Sequence, residues 1–146
     1  MTQSIEKFED LYAWQEARVM TKEIYHLTRQ DDLCRDFGVS NQIQRASVSV
    51  MSNLAEGFER SGLQEKLNFY NIARASCAEV RSLLYVIEDN FPDQAEETPE
   101  LRELAIRTGK MVHGLHTSTR KRLAFTTLPI LLAVLVIGMT LFKIQL

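Results

Sequence analysis

The sequence predicts an all-α protein: an up-down-up-down four-helix bundle followed by a C-terminal hydrophobic helix long enough to be transmembrane. Three observations carry that prediction. The three prolines, Pro92, Pro99 and Pro129, all follow residue 91, so nothing before them forbids long helices. Apolar residues recur at three-and-four spacing through four segments separated by short polar breaks. Residues 123–142 form a run of twenty without a charge.

The first helix is expected over residues 8–28. Phe8, Leu11, Tyr12, Ala13, Trp14, Val19, Ile24 and Leu27 include an apolar stripe, with Glu9, Asp10, Glu16, Lys22 and Glu23 between them. Gln30, Asp31 and Asp32 form the polar break. The second helix is expected over residues 39–58, on Ile43, Ala46, Val50, Leu54, Ala55 and Phe58. Its Ser47-Val48-Ser49-Val50 alternates like a strand, but the helical period around it outweighs four residues. Gly57 and Gly62 bracket Glu59-Arg60-Ser61, a turn signal that ends this helix.

The third helix is expected over residues 63–89, with Leu67, Tyr70, Ala73, Cys77, Val80, Leu84 and Ile87 inward. Phe91-Pro92-Asp93 stops it. Thr98 as cap and Pro99 in the first turn open the fourth helix. Leu101, Leu104, Ala105, Thr108, Met111, Val112 and Leu115 carry that helix to about residue 117. Connections this short make each helix antiparallel to its predecessor. The chain thus divides into a bundle, residues 1–119, and a basic junction with an apolar helix, residues 120–146.

A twenty-residue helix spans about 30 Å, the hydrocarbon thickness of a bilayer. Leu123, Pro129, Leu135, Gly138 and Phe142 mark that span, and membrane lipid is its expected partner. The rival reading is a fifth helix buried in an oligomer. Pro129 either kinks the span or opens a helix over residues 129–146, with Lys143 and Gln145 reaching the far interface. Arg120-Lys121-Arg122 on one side, against a lone Lys143, place the bundle in the cytoplasm. The expected localisation is a single-pass tail anchor in the inner membrane with a cytoplasmic N-terminus. The polar, acidic start MTQSIEKFED is no secretory signal.

The formal net charge of −2 conceals a division. Before residue 120 stand thirteen basic and nineteen acidic residues, a net of −6. An acidic module is a poor polyanion binder unless its arginines cluster on one face. Cys34 and Cys77 form no CxxC pair and are expected as reduced thiols.

Several motifs extend through the first four-fifths of the chain. They are Phe8-Glu9-Asp10-Leu11 with Trp14 and Gln15, and Gln42-Ile43-Gln44-Arg45-Ala46. Ser52-Asn53-Leu54-Ala55-Glu56-Gly57-Phe58 is the most specific, followed by Phe69-Tyr70-Asn71-Ile72-Ala73 and Ala75-Ser76. In this order they resemble the four-helix-bundle proteins known as 23S rRNA-intervening sequence proteins. That resemblance implies a homo-oligomer, typically a pentamer with the bundles side by side. The chain is similar also to the accessory proteins of diversity-generating retroelements, which are strongly basic and bind a reverse transcriptase and its RNA. The acidic bundle departs from that pattern, as does the apolar tail.

On a helix Arg45, Ser49, Ser52 and Glu56 follow steps of four, three and four, so they share one face, bordered by Asn53. One reading is a solvated strip. The other is an oligomer interface in which Arg45 of one subunit meets Glu56 of its neighbour, and the resemblance favours it. The alternative function, a nucleic-acid accessory protein, would use Arg45, Arg60, Lys66, Arg74 and Arg81 as a basic rim.

No catalytic constellation emerges. His113 and His116, three apart, suit one metal or two half-exposed positions near a helix end, and no Glu-x-x-His accompanies them. Cys77 sits in an apolar stripe. Cys34 lies in a polar loop without a paired base. Trp14 and Tyr12 offer a stacking surface or a staple at the start of a helix. No catalytic residue, metal or cofactor is expected. The reading is a non-enzymatic oligomeric helical-bundle scaffold, tethered to the membrane by its tail.

Overall fold

Phe8, Glu9 and Asp10 do not begin the first helix; they form a single 3-10 turn in which Leu11 donates its N–H to the Phe8 carbonyl. The computed structural model describes residues 5–30 and 32–144, with side chains to residue 127. Helix α1 (Tyr12–Leu27) follows the turn. It buries Ala13, Ala17, Met20, Ile24 and Leu27, alternating steps of four and three. Of the apolar residues around that stripe, Tyr12 and Val19 face outward.

A second 3-10 turn, Asp32–Arg35, leads into helix α2 (Phe37–Glu59). This helix starts two residues before the expected 39, because Asp36 caps it: its Oδ1 accepts the Val39 N–H at 3.0 Å. The Arg60 and Gly62 backbones are extended, and helix α3 (Leu63–Asn90) begins directly after them. Its seven expected inward residues are all buried.

Helix α4 (Thr98–Ile144) is one unbroken helix of 47 residues. It neither ends near residue 117 nor hands over to a separate helix at 123. Gly109 and Gly114 lie within it without breaking it. Thr98 is its first residue rather than an accepting cap, and its hydroxyl donates to the Ala95 carbonyl at 3.0 Å.

Among the described residues no helix is long and apolar enough to cross a membrane. That overturns the expected transmembrane helix, the tail anchor and the membrane-bound localisation. The physical reason is charge density: up to residue 127, where its side chains are described, α4 carries Arg102, Arg107, Lys110, Arg120, Lys121 and Arg122, too many for a bilayer span. The first residues of the apolar run continue as an exposed helix, with Phe125 77% exposed and the Thr126 and Thr127 hydroxyls bonded to carbonyls one turn back. Of the residues that marked the span, Leu123 is half-buried; the side chains of Pro129, Leu135, Gly138 and Phe142 lie outside the described residues.

Paired contacts establish the topology. Thr21 meets Ser47 and Thr28 meets Gln44, so α1 and α2 are antiparallel. Gln42 reaches Glu79 and Ser49 reaches Ser76 across α2 and α3. Glu88 meets Arg102 and Arg74 meets His113 across α3 and α4. Glu16 meets Arg107, closing α4 onto α1. The four-helix bundle runs up-down-up-down as expected.

Met20, Ile24, Leu27, Ile43, Leu54, Leu84 and Ile87 fill the centre, each fully buried. Burying a side chain of this size contributes about 1.5–3 kcal/mol. The polar residues among them bond locally. Thr28 and Thr108 donate to carbonyls four residues back, and Ser40 donates to the Leu33 carbonyl at 2.6 Å. Among the described residues no buried side-chain polar atom lacks a hydrogen-bond partner.

Candidate interaction surfaces

The sequence motifs turn out to hold the bundle together. Phe8 meets Trp14 edge to face, with centroids 5.1 Å apart, which is the staple at the start of α1. Gln15 donates to the Glu9 carbonyl at 2.8 Å, and Gln44 donates to the Thr28 hydroxyl at 2.7 Å. Gly57 is no turn residue. It lies inside α2, where a Cβ would stand 2.6 Å from Tyr70 Cε1 and 3.0 Å from Phe69 Cβ. Only a glycine lets α2 and α3 approach this closely there.

The expected interface strip divides. Ser49 and Asn53 sit in the seam between α2 and α3: the Ser49 and Ser76 hydroxyl oxygens are 2.9 Å apart, and Asn53 donates to the Ser49 carbonyl at 2.8 Å. Arg45, Ser52 and Glu56 stay exposed. Glu56 lies 4.0 Å from Arg60. Arg45 and Glu56 are eleven positions apart, roughly 16 Å along the helix, so they do not pair within the chain.

The five residues of the candidate basic rim do not form one surface. Lys66 donates to the Gly57 carbonyl at 3.3 Å and to the Phe58 carbonyl, satisfying the C-terminal end of α2. Burial lowers its pKa, and Arg122 lowers it further. Arg60 stacks on Phe69 at 4.9 Å. Arg45 stands apart on α2. Only Arg74 and Arg81 come together, two turns apart on one face of α3.

Those two arginines form a grouping that the sequence reading missed. With Lys110 and His113 of α4 they line a groove of about 350 Å³ floored by Cys77, Ala105 and Ile106. Arg74 reaches Asn71 at 3.1 Å and His113 Nδ1 at 3.3 Å. His116, next to the groove, has its pKa lowered by burial first, then by Arg74, Arg120 and His113. The signal was present in the register: Arg74 and Arg81 are seven apart, as are Gly109 and His116, so each set keeps to one helix face.

On the opposite flank of α4 a second groove is lined by Glu16, Glu23, Glu96, Glu97 and Glu100, with Val19, Leu101 and Leu104 between them. Arg107 is its single cation, 3.1 Å from Glu16. Here acids from α1 and from the start of α4 converge.

Reactive groups are muted. Burial pushes the Cys77 thiol up to about 12, far from thiolate at neutral pH. Burial likewise pushes Tyr70 to about 12. Cys34 is exposed in the 3-10 turn. Among the described residues no three His, Cys, Asp or Glu side chains come together as a metal site, His113 and His116 included.

Residues 9–114 match the family model described as 23S rRNA-intervening sequence protein. A solved structure from Bacteroides thetaiotaomicron, a protein of unknown function from the S23 ribosomal protein family, is similar in fold. It shares 16% identity at a TM-score of 0.66, over 72% of this chain and 95% of that chain. Neither match is described as a retroelement accessory protein. No curated protein matches.

Proposed function

This chain belongs to the 23S rRNA-intervening sequence protein family, and we propose that it acts without a catalytic step, as a homo-oligomeric helical-bundle scaffold that binds through its helix faces. The observation that carries this reading is the set of large apolar side chains left in solvent beside charges on all four helices. Tyr12 and Val19 on α1, Phe37 on α2, Ile72 and Tyr85 on α3 and Met111 on α4 are between 40% and 74% exposed. A neighbouring chain packed against these helix faces would cover them. The five-membered assembly that the resemblance implies is the form we expect.

Support for a scaffold also comes from the chemistry. The two groups most strongly shifted in pKa are shifted away from reactivity, whereas catalytic groups are tuned toward the working pH. A nucleic-acid accessory role has less behind it, because Lys66 and Arg60 are engaged within the chain. Sedimentation velocity across a dilution series tests the scaffold reading. The expected boundary is a single species well above the monomer mass of 16.8 kDa, and a monomer at every concentration overturns it.

A further inference from the structure

Two grooves flank α4, and their charges are opposite. On one flank Arg74, Arg81, Lys110 and His113 surround an apolar floor. Among the described residues no carboxylate lies within ion-pair distance of Arg74, Arg81 or Lys110. On the other flank five glutamates share one arginine, with apolar Val19 half-exposed between Glu16 and Glu23. Gathering like charges on one surface costs stability by self-repulsion. Each groove has what the other lacks: cations around an apolar floor, and carboxylates around the exposed Val19 side chain.

We propose that the two grooves are halves of one interface, so that the basic α3–α4 groove of one subunit receives the acidic α1–α4 face of a second copy of this chain. This rests on the homo-oligomer reading and adds the surfaces that make it. Because the two patches differ, the contact is heterologous. It closes into a ring if its rotation allows and otherwise extends as a filament. Opposite potentials steer the encounter and fix its register, so assembly weakens as salt rises.

The test uses charge reversal in the full chain, read by light scattering with circular dichroism as the check on folding. Arg81→Glu with Lys110→Glu reverses the basic groove, and Glu23→Lys with Glu100→Lys reverses the acidic one. None of these four side chains is buried. Either pair alone is expected to weaken assembly at least tenfold, giving folded monomer where the unaltered chain assembles. All four together restore opposite charges and therefore the assembly, which a merely misfolded variant would not do. Folded pair variants with unchanged mass overturn the interface and leave the homo-oligomer standing. A monomeric unaltered chain removes both. Loss of affinity for a single-stranded RNA probe in the Arg81/Lys110 pair, with its mass unchanged, also overturns the interface and assigns the groove to nucleic acid.

Discussion

Gly57 lies so close to Tyr70 that a methyl group at position 57 would sit 2.6 Å from the ring carbon Cε1. The Phe69 Cβ limits the other side at 3.0 Å. Alanine normally improves a helix interior by about 1 kcal/mol over glycine, but overpacking of this kind costs about 1–3 kcal/mol. Gly57→Ala is therefore expected to destabilise the bundle by about 1–2 kcal/mol in urea unfolding, and unchanged stability would mean that the helices separate easily at this point.

Gly114 supplies the opposite case. No heavy atom lies within 4 Å of a Cβ placed there, and the residue is inside α4. Gly114→Ala is expected to raise stability by about 0.5–1 kcal/mol through helix propensity and a less free unfolded chain. A decrease in the midpoint of thermal unfolding would show that something covers this position.

These two glycines show what was legible in the sequence. The apolar period placed seven of the eight buried residues of α3, all but Ser76, and the antiparallel order, because burial in a bundle follows helical spacing directly. It missed Ala17, Ser40 and Ser47, since small and polar residues carry little hydrophobic signal, and it passed over Met20 although that side chain is large, apolar and fully buried. Gly57 looked like punctuation although it serves close packing, a distinction that depends on Tyr70 in another helix. The grooves on either side of α4 were illegible for a similar reason: each combines charges from helices far apart in sequence. The expected membrane span is overturned over the described part of α4, where the charges of residues 102–122 interrupt every apolar stretch; residues 128–142 of the run have side chains outside the described residues.

Arg102 ties the start of α4 to the end of α3. It is paired with Glu88, bonded to Thr98 at 3.3 Å, and lies 4.3 Å over the Tyr85 ring. The hydrogen bond to Glu88 is the largest cause of its raised pKa. Its side chain is 15% exposed, so solvent screens this pair less than a surface pair. Arg102→Ala is expected to cost about 1–3 kcal/mol, and Arg102→Lys to recover only part, because an ammonium cannot both fork to the carboxylate and stack. Equal stability of the lysine variant and the parent protein would contradict this account.

Alkaline pH should weaken the fold. Cys77 and Tyr70 ordinarily ionise near 9.0 and 10.0, and burial raises both to about 12. A raised folded-state pKa means that the stabilisation is complete below the ordinary value and is lost as pH rises toward the folded one. Unfolding free energy is thus expected to fall between about pH 9 and pH 12. Tyr70→Phe and Cys77→Ala should each flatten the slope; parallel pH profiles for variants and parent would exclude these two groups as its source.

The proposed assembly of this protein through its helix faces is open to a direct check. Native mass spectrometry of the full chain at low salt tests it most directly. One dominant species is expected at a defined multiple of 16.8 kDa, persisting on dilution and falling apart as ionic strength rises. A spectrum of monomer alone, from folded protein under the same conditions, would contradict it.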